Sequence, residues 1–167
     1  MNNSLFPSLS PSSRLWIFLS DKKLSAETEA AIQNKLNSFC AALKGHGQPL
    51  KAEATILHKH FIILAVDETM NGAGGCSIDT IFHLMQQCEQ EFSLSLLNRM
   101  LVSFRMNDEI AVMTLSEAKQ NFLDGKISAE TILFNTLCTS LGQFRNQFEQ
   151  PVVESWLYKK FAPAVSH

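Results

Sequence analysis

Positions 67 to 79 read DETMNGAGGCSID. Within thirteen residues they hold two adjacent carboxylates (Asp67, Glu68), three glycines (Gly72, Gly74, Gly75), a thiol (Cys76), a hydroxyl (Ser77) and a third carboxylate (Asp79). Three chemistries fit these residue types. Glycines let a ligand approach the backbone closely, and a helix beginning near Ser77 would direct free N–H groups and its positive dipole end at an anion. Cys76, just ahead of that helix start, would hold its thiol pKa low enough for a nucleophile, with His46 in the Gly45-His46-Gly47 loop as its base. Asp67, Glu68 and Asp79 would instead bind a divalent cation for phosphoryl transfer. Each has a plainer counterpart: glycines that only turn the chain, a thiol packed under a turn, an Asp79 that complements a helix dipole. His58 and His60, two apart and flanking Lys59, read as solvated turn residues.

The elements that must position this cluster follow from the apolar pattern. Residues 14–20 (RLWIFLS) form a short aromatic-rich strand. Ser25 is the N-cap of a helix with Glu27 and Glu29 near its positive end and Ile32, Leu36, Phe39, Cys40 and Leu43 at helical spacing; Gly45 stands where that helix would stop. Residues 51–57 alternate and residues 61–66 are apolar on both faces, the pattern of a hairpin whose second strand is central. A second helix runs from Ser77 with Ile78, Ile81, Phe82, Met85, Cys88 and Phe92 on one stripe. Residues 100–106 and 110–114 are two strands joined by Asn107, Asp108 and Glu109, and Thr114 and Glu117 have capping-box spacing for a short helix ending at Gly125. Ser128 then caps a longer helix with Leu133, Phe134, Leu137, Cys138, Leu141, Phe144 and Phe148 on its apolar face, closed by Pro151. The aromatic segment 152–161, with Trp156 and Phe161, docks on the domain.

The resulting order is the split βαβ pattern. The expectation is an α+β fold with a ferredoxin-like βαββαβ sheet, an added strand and C-terminal helices. Residues 1–13, with five serines and two prolines, form a mobile or draped arm that Leu5, Phe6 and Leu9 can anchor. Residues 14–167 are expected to be a single α+β domain, with the helices from about 115 packing on it.

The stretches GHGQPLKA at 45–52, LAVDE at 64–68 and GCSID at 75–79 resemble an uncharacterised family of small bacterial proteins, some of which carry the label ABC transporter ATPase. The likeness runs through roughly residues 16–112. It implies a bacterial source and no particular activity. Where the family pattern has a serine ahead of GCSID this chain has Gly74, so no hydroxyl role transfers to that position. The ATPase label does not suit these residues: a P-loop needs a lysine after its last glycine, and NGAGGCS at 71–77 has none.

Composition bounds the rest. The 167 residues carry 14 Lys plus Arg against 16 Asp plus Glu, a formal charge of 14 − 16 = −2, which argues against a basic nucleic-acid-binding face. Charged residues make up 18%, below the usual figure of about 25%. The longest apolar run, residues 61–66, is far short of the roughly 20 needed to span a bilayer, and no signal-peptide pattern precedes it, so a cytoplasmic protein is expected. Cysteines 40, 76, 88 and 138 show neither Cys-x-x-Cys nor zinc spacing; three lie on apolar stripes and Cys76 does not. No cofactor or resident metal is expected. The reading favoured from sequence is a non-catalytic binding or adaptor domain, with Asp67, Glu68, Gly72, Gly74, Gly75, Ser77 and Asp79 taking a small anionic ligand or a protein partner. A thiol-dependent hydrolase or acyl transferase using Cys76 and His46, and a metal-dependent phosphoryl hydrolase using Asp67, Glu68 and Asp79, are the alternatives.

Overall fold

The computed structural model describes residues 5–45, 47–68 and 75–165, and the side chains of these except at 45, 75–77 and 163–165. In chain order the elements are β1 (Arg14–Leu19), α1 (Ala26–Ala42), β2 (Lys44–Gly45), β3 (Gln48–Pro49), β4 (Lys51–Leu57), β5 (Phe61–Asp67), α2 (Gly75–Phe92), β6 (Leu101–Met106), β7 (Glu109–Thr114), α3 (Leu115–Leu123), β8 (Ile132–Phe134), α4 (Leu141–Gln147), β9 (Glu149–Pro151), a 3-10 turn (Val152–Glu154) and α5 (Tyr158–Val165). This is an α+β fold with antiparallel sheets. The chain divides into two compact units, one of Met1–Leu97 with Thr136–Asn146, the other of Asn98–Asn135 with Gln147–His167.

In the first unit the strand order is β1-β5-β4, with β5 antiparallel to both neighbours. β1 and β4 therefore run parallel, linked through α1, with β5 inserted between them. That is a split βαβ unit. β5 is central because both of its faces are apolar: Phe61, Ile62, Ile63, Leu64, Ala65 and Val66 are all fully buried. Ile62, Leu64 and Val66 meet Ile32 and Leu36 of α1 and Ile81, Leu84, Met85 and Cys88 of α2 in one core. The Ser25 cap forms as its sequence implies, its hydroxyl accepting from the Thr28 N–H at 3.1 Å.

Three expectations change in this unit. The strand at 101–106 does not join the first sheet; it pairs with β7 and β8 in a second one. Beside β1, part of the place a fourth strand would take is held by residues 139–141: Leu15 N–H donates to Thr139 O at 3.0 Å and Leu141 N–H to Ser13 O at 3.0 Å. α1 does not end on Gly45. Leu43 leaves the helix in extended geometry, and Lys44–Gly45 pairs with Gln48–Pro49 across a turn in which Gly47 holds the positive φ of 79°. α2 starts at Gly75, two residues ahead of Ser77, so position 77 lies inside the first turn and Asp79 is the fifth helical residue.

Residues 5–13 belong to the first unit and are tied to it. Phe6 and Leu9 are buried, the Arg145 guanidinium donates to Leu5 O at 2.8 Å and Phe6 O at 3.0 Å, and Gly142 N–H donates to Pro11 O at 2.9 Å. The approach is close: a Cβ at 142 would stand 3.2 Å from the Pro11 oxygen, so a larger residue would have to push that segment back by a few tenths of an ångström.

The second unit has the sheet order β7-β6-β8-β9. Val102, Phe104 and Leu133 from this sheet pack with Ala118 of α3, Ile127, Val152, Leu157 and Phe161 of α5. The segment 152–161 thus docks through its apolar residues. Both predicted signals around α3 are present. Thr114 and Glu117 form a complete capping box, and Gly125, at φ 79°, closes the helix with its N–H on Phe122 O and the Lys126 N–H on Asn121 O. Those two bonds are a Schellman motif, which favours glycine at the left-handed position.

The long helix expected from Ser128 is absent. Residues 128–131 make a hydroxyl-stabilised turn, with Ser128 N–H donating to Thr131 Oγ1 at 2.9 Å, and Ile132–Phe134 is a strand pairing with β9. Helix returns only at Leu141. Burial explains the misreading: Leu133, Phe134, Cys138, Leu141, Phe144 and Phe148 are all buried as a helical stripe would require, yet Leu137 on the same stripe is 56% exposed.

Candidate functional site

β5 carries the acidic end of the candidate loop, and antiparallel pairing decides what stands beside it. Arg14 is opposite Val66 on one flank and Lys51 opposite Asp67 on the other. The start of β1 and the start of β4 therefore bring cations to the point where β5 ends in carboxylates. The Arg14 guanidinium lies 3.3 Å from Glu68 Oε1 and 5.1 Å from the centre of the Trp16 ring. An ion pair and a cation–π contact thus fix it in direction. Its side chain remains 41% exposed, so solvent and solutes reach it.

The N-terminal segment completes the neighbourhood. Ser10 N–H points at Asp67 Oδ2 at 3.5 Å, the Lys51 ammonium donates to Ser8 O at 3.3 Å, and Ser8 Oγ donates to Glu53 Oε2 at 3.0 Å. Polar groups from the N-terminal segment, β1, β4 and β5 thereby converge at one end of the first sheet. Asp67 and Glu68 are engaged with protein partners there, and Asp79 is exposed on α2.

His46, Gly72 and Gly74 lie outside the described residues, and of Gly75, Cys76 and Ser77 only the backbone is described, as the first three positions of α2. The first turn of α2 contains no acidic residue. The other three thiols behave as packing groups: burial pushes Cys40 and Cys138 up to about 11 and moves Cys88 in the same direction. High thiol pKa values disfavour the thiolate that nucleophilic chemistry needs. Among the described residues no three of His, Cys, Asp and Glu are grouped as metal ligands would be, and no helix is long and apolar enough to cross a membrane.

Of the two turn histidines, His58 is exposed as expected, and His60 is not. His60 is only 7% exposed at the start of β5, with its Nδ1 3.4 Å from the Ser20 carbonyl and its own carbonyl accepting from Ser20 N–H at 2.7 Å. Burial lowers its pKa below the usual 6.5; the Ser20 carbonyl opposes that shift, and Lys23 and His58 add to it. The unfolded chain therefore takes up this proton more readily than the folded one. The contribution is present above pH 6.5 and is lost as pH falls from 6.5 through the lower folded-state value. Urea midpoints measured across that range should fall with acidification, and His60→Gln should flatten the slope; an unchanged slope would place the pH dependence elsewhere.

Arg14, Trp16, Lys51 and the serines of the N-terminal segment are absent from the sequence-derived candidate set. One signal pointed to them: two strands that start with a cation and pair antiparallel with β5 must set those cations at its acidic end.

Compared with known proteins, the chain matches no family model, no curated protein and no solved structure.

Proposed function

We propose that this protein is a non-catalytic binding or adaptor protein that takes a small anionic ligand at the end of β5, between Arg14 and the start of α2. The observation that carries this reading is the Arg14 guanidinium, oriented by Trp16 and Glu68 yet exposed to solvent. A planar guanidinium suits carboxylate and phosphate oxygens, and Glu68 stands where a ligand oxygen would compete for it. The 18-residue helix α2 begins seven residues after Glu68 with no acidic residue in its first turn, which would favour an anion that reaches it. Asp67 and Glu68 then serve as partners of Ser10 and Arg14, which speaks for binding over metal-dependent hydrolysis. The first unit itself fits a ferredoxin-like sheet in which residues 139–141 replace the fourth strand.

Thermal unfolding of the full chain with inorganic phosphate, pyrophosphate or citrate tests the reading. A ligand at about 100 times its Kd adds ~2.7 kcal/mol of stability, so binding raises Tm. The shift should vanish in Arg14→Ala and grow in Glu68→Gln, which frees the guanidinium. No shift with any of the three anions, or an undiminished shift in Arg14→Ala, refutes the site.

A further inference from the structure

The two edges of the second sheet are built differently. β9 is three residues long and ends in Pro151, which has no N–H to offer a neighbour. β7 spans six residues, Glu109–Thr114, with no proline and no lysine. Those are the usual means of blocking an edge.

The hydrogen-bond alternation along β7 can be worked out. Leu115 N–H donates to Met100 O at 2.9 Å, so 115 and 100 form a bonded pair; by the register, 113 with 102, 111 with 104 and 109 with 106 are bonded pairs too. The N–H and C=O groups of Ile110, Val112 and Thr114 therefore point away from β6. The Thr114 N–H is taken by Glu117 Oε1 at 3.2 Å. Among the described residues nothing pairs with the outward groups of Ile110 and Val112.

We propose that this edge pairs antiparallel with the same edge of a second copy of the chain. With a two-fold axis through Ala111, Ile110 of each copy lies opposite Val112 of the other. Each copy then donates both outward N–H groups and accepts at both outward C=O groups, and neither copy is left with an unpaired one. The side chains agree with the register. Two Ile–Val cross-strand pairs form, of the β-branched kind that stabilises sheets, and the residue on the axis is a small alanine. Glu109 falls opposite the uncharged Met113; Asp108 would fall opposite Thr114, whose outward N–H Glu117 Oε1 already holds, so the pairing runs from 109 to 113 and stops short of those two carboxylates. A register moved by one residue to either side of Ala111 puts Ile110 opposite Ile110 or Val112 opposite Val112, and leaves one bonding residue of each copy unpaired or facing the capping box. Two-fold closure also ends the association at a dimer. An edge contact of this extent lies at the small, transient end of protein interfaces, so association should depend on concentration.

Sedimentation velocity of the full chain over a concentration series should show a monomer–dimer equilibrium. Val112→Pro removes an outward N–H without touching a β6 bond, and it should abolish the dimer while the far-ultraviolet spectrum of the folded chain is kept. Amide exchange of the unmodified chain gives a readout that needs no variant: protection at Ile110 and Val112 should rise with concentration while that of Glu109, Ala111 and Met113 stays constant. A monomer at every concentration, a dimer that survives Val112→Pro, or concentration-dependent protection confined to other residues overturns the proposal.

Discussion

Phe104→Ala should cost about 3–5 kcal/mol of unfolding free energy, the range for an aromatic ring removed from a sealed core. Phe104 is fully buried at the middle of β6, with Ala111 beside it on β7 and Leu133 on β8. Collapse into the space left is restricted. Ala111 and Ala118 have no side-chain length to extend, and Val102, Leu133 and Phe161 are held by a paired strand or by their own packing. The loss is then the ring's transfer free energy plus most of a cavity term. Against a total stability of about 5–15 kcal/mol for a natural domain, that is at least about a fifth. Urea denaturation followed by circular dichroism measures it, and a loss below about 1 kcal/mol would mean that the core closes over the gap.

Much of this arrangement was legible in the sequence wherever a local signal was also the final determinant. Residues 51–57 alternate and residues 61–66 do not, and β4 is indeed the flank and β5 the centre. Ser25, Thr114 with Glu117, and Gly125 are local devices whose partners lie within a few residues, and all three operate as their types imply. The region from 128 to 148 shows the opposite case. Its apolar spacing satisfies a helix, but the pairing of Ile132–Phe134 with Glu149–Pro151 buries nearly the same side chains and is decided by residues 15 to 19 positions away. Among the stripe residues it is the exposure of Leu137 that departs from the helical solution.

The candidate site was half legible for the same reason. Asp67 and Glu68 are adjacent and stand out; the cation that meets them comes from 54 positions earlier in the chain and depends on strand order. His60 has polar neighbours in sequence, yet its ring is covered through the pairing of β5 with the end of β1, which those neighbours do not announce. Of the cluster itself, Asp67, Glu68 and Asp79 are described with their side chains, and these are the residues on which a carboxylate-centred site has to be judged.

Leu64→Ala should be the second severe variant, and its effect should reach the site. Leu64 is fully buried at the middle of β5, opposite Trp16 on β1 and Ala54 on β4, and it packs into the core shared with α1 and α2. Truncating a leucine in such a place costs about 2–5 kcal/mol. Two residues further along the same strand Val66 pairs with Arg14, and Glu68 follows within four residues. Loosening the strand centre should therefore blur the geometry that holds Arg14 between Glu68 and Trp16. The chain has two tryptophans, so in a Trp156→Phe background all indole emission comes from Trp16, the cross-strand neighbour of Leu64. A red shift of that emission below the unfolding transition, with a weakened thermal response to phosphate, is the expected result. Arg14→Ala should behave in the reverse way, losing the phosphate response while changing stability by no more than about 1 kcal/mol, because a partly exposed ion pair contributes little. If Leu64→Ala lowers stability but leaves both the Trp16 emission and the phosphate response intact, then the packing beneath β5 does not set the geometry of the site, and the contacts with Glu68 and Trp16 hold Arg14 by themselves.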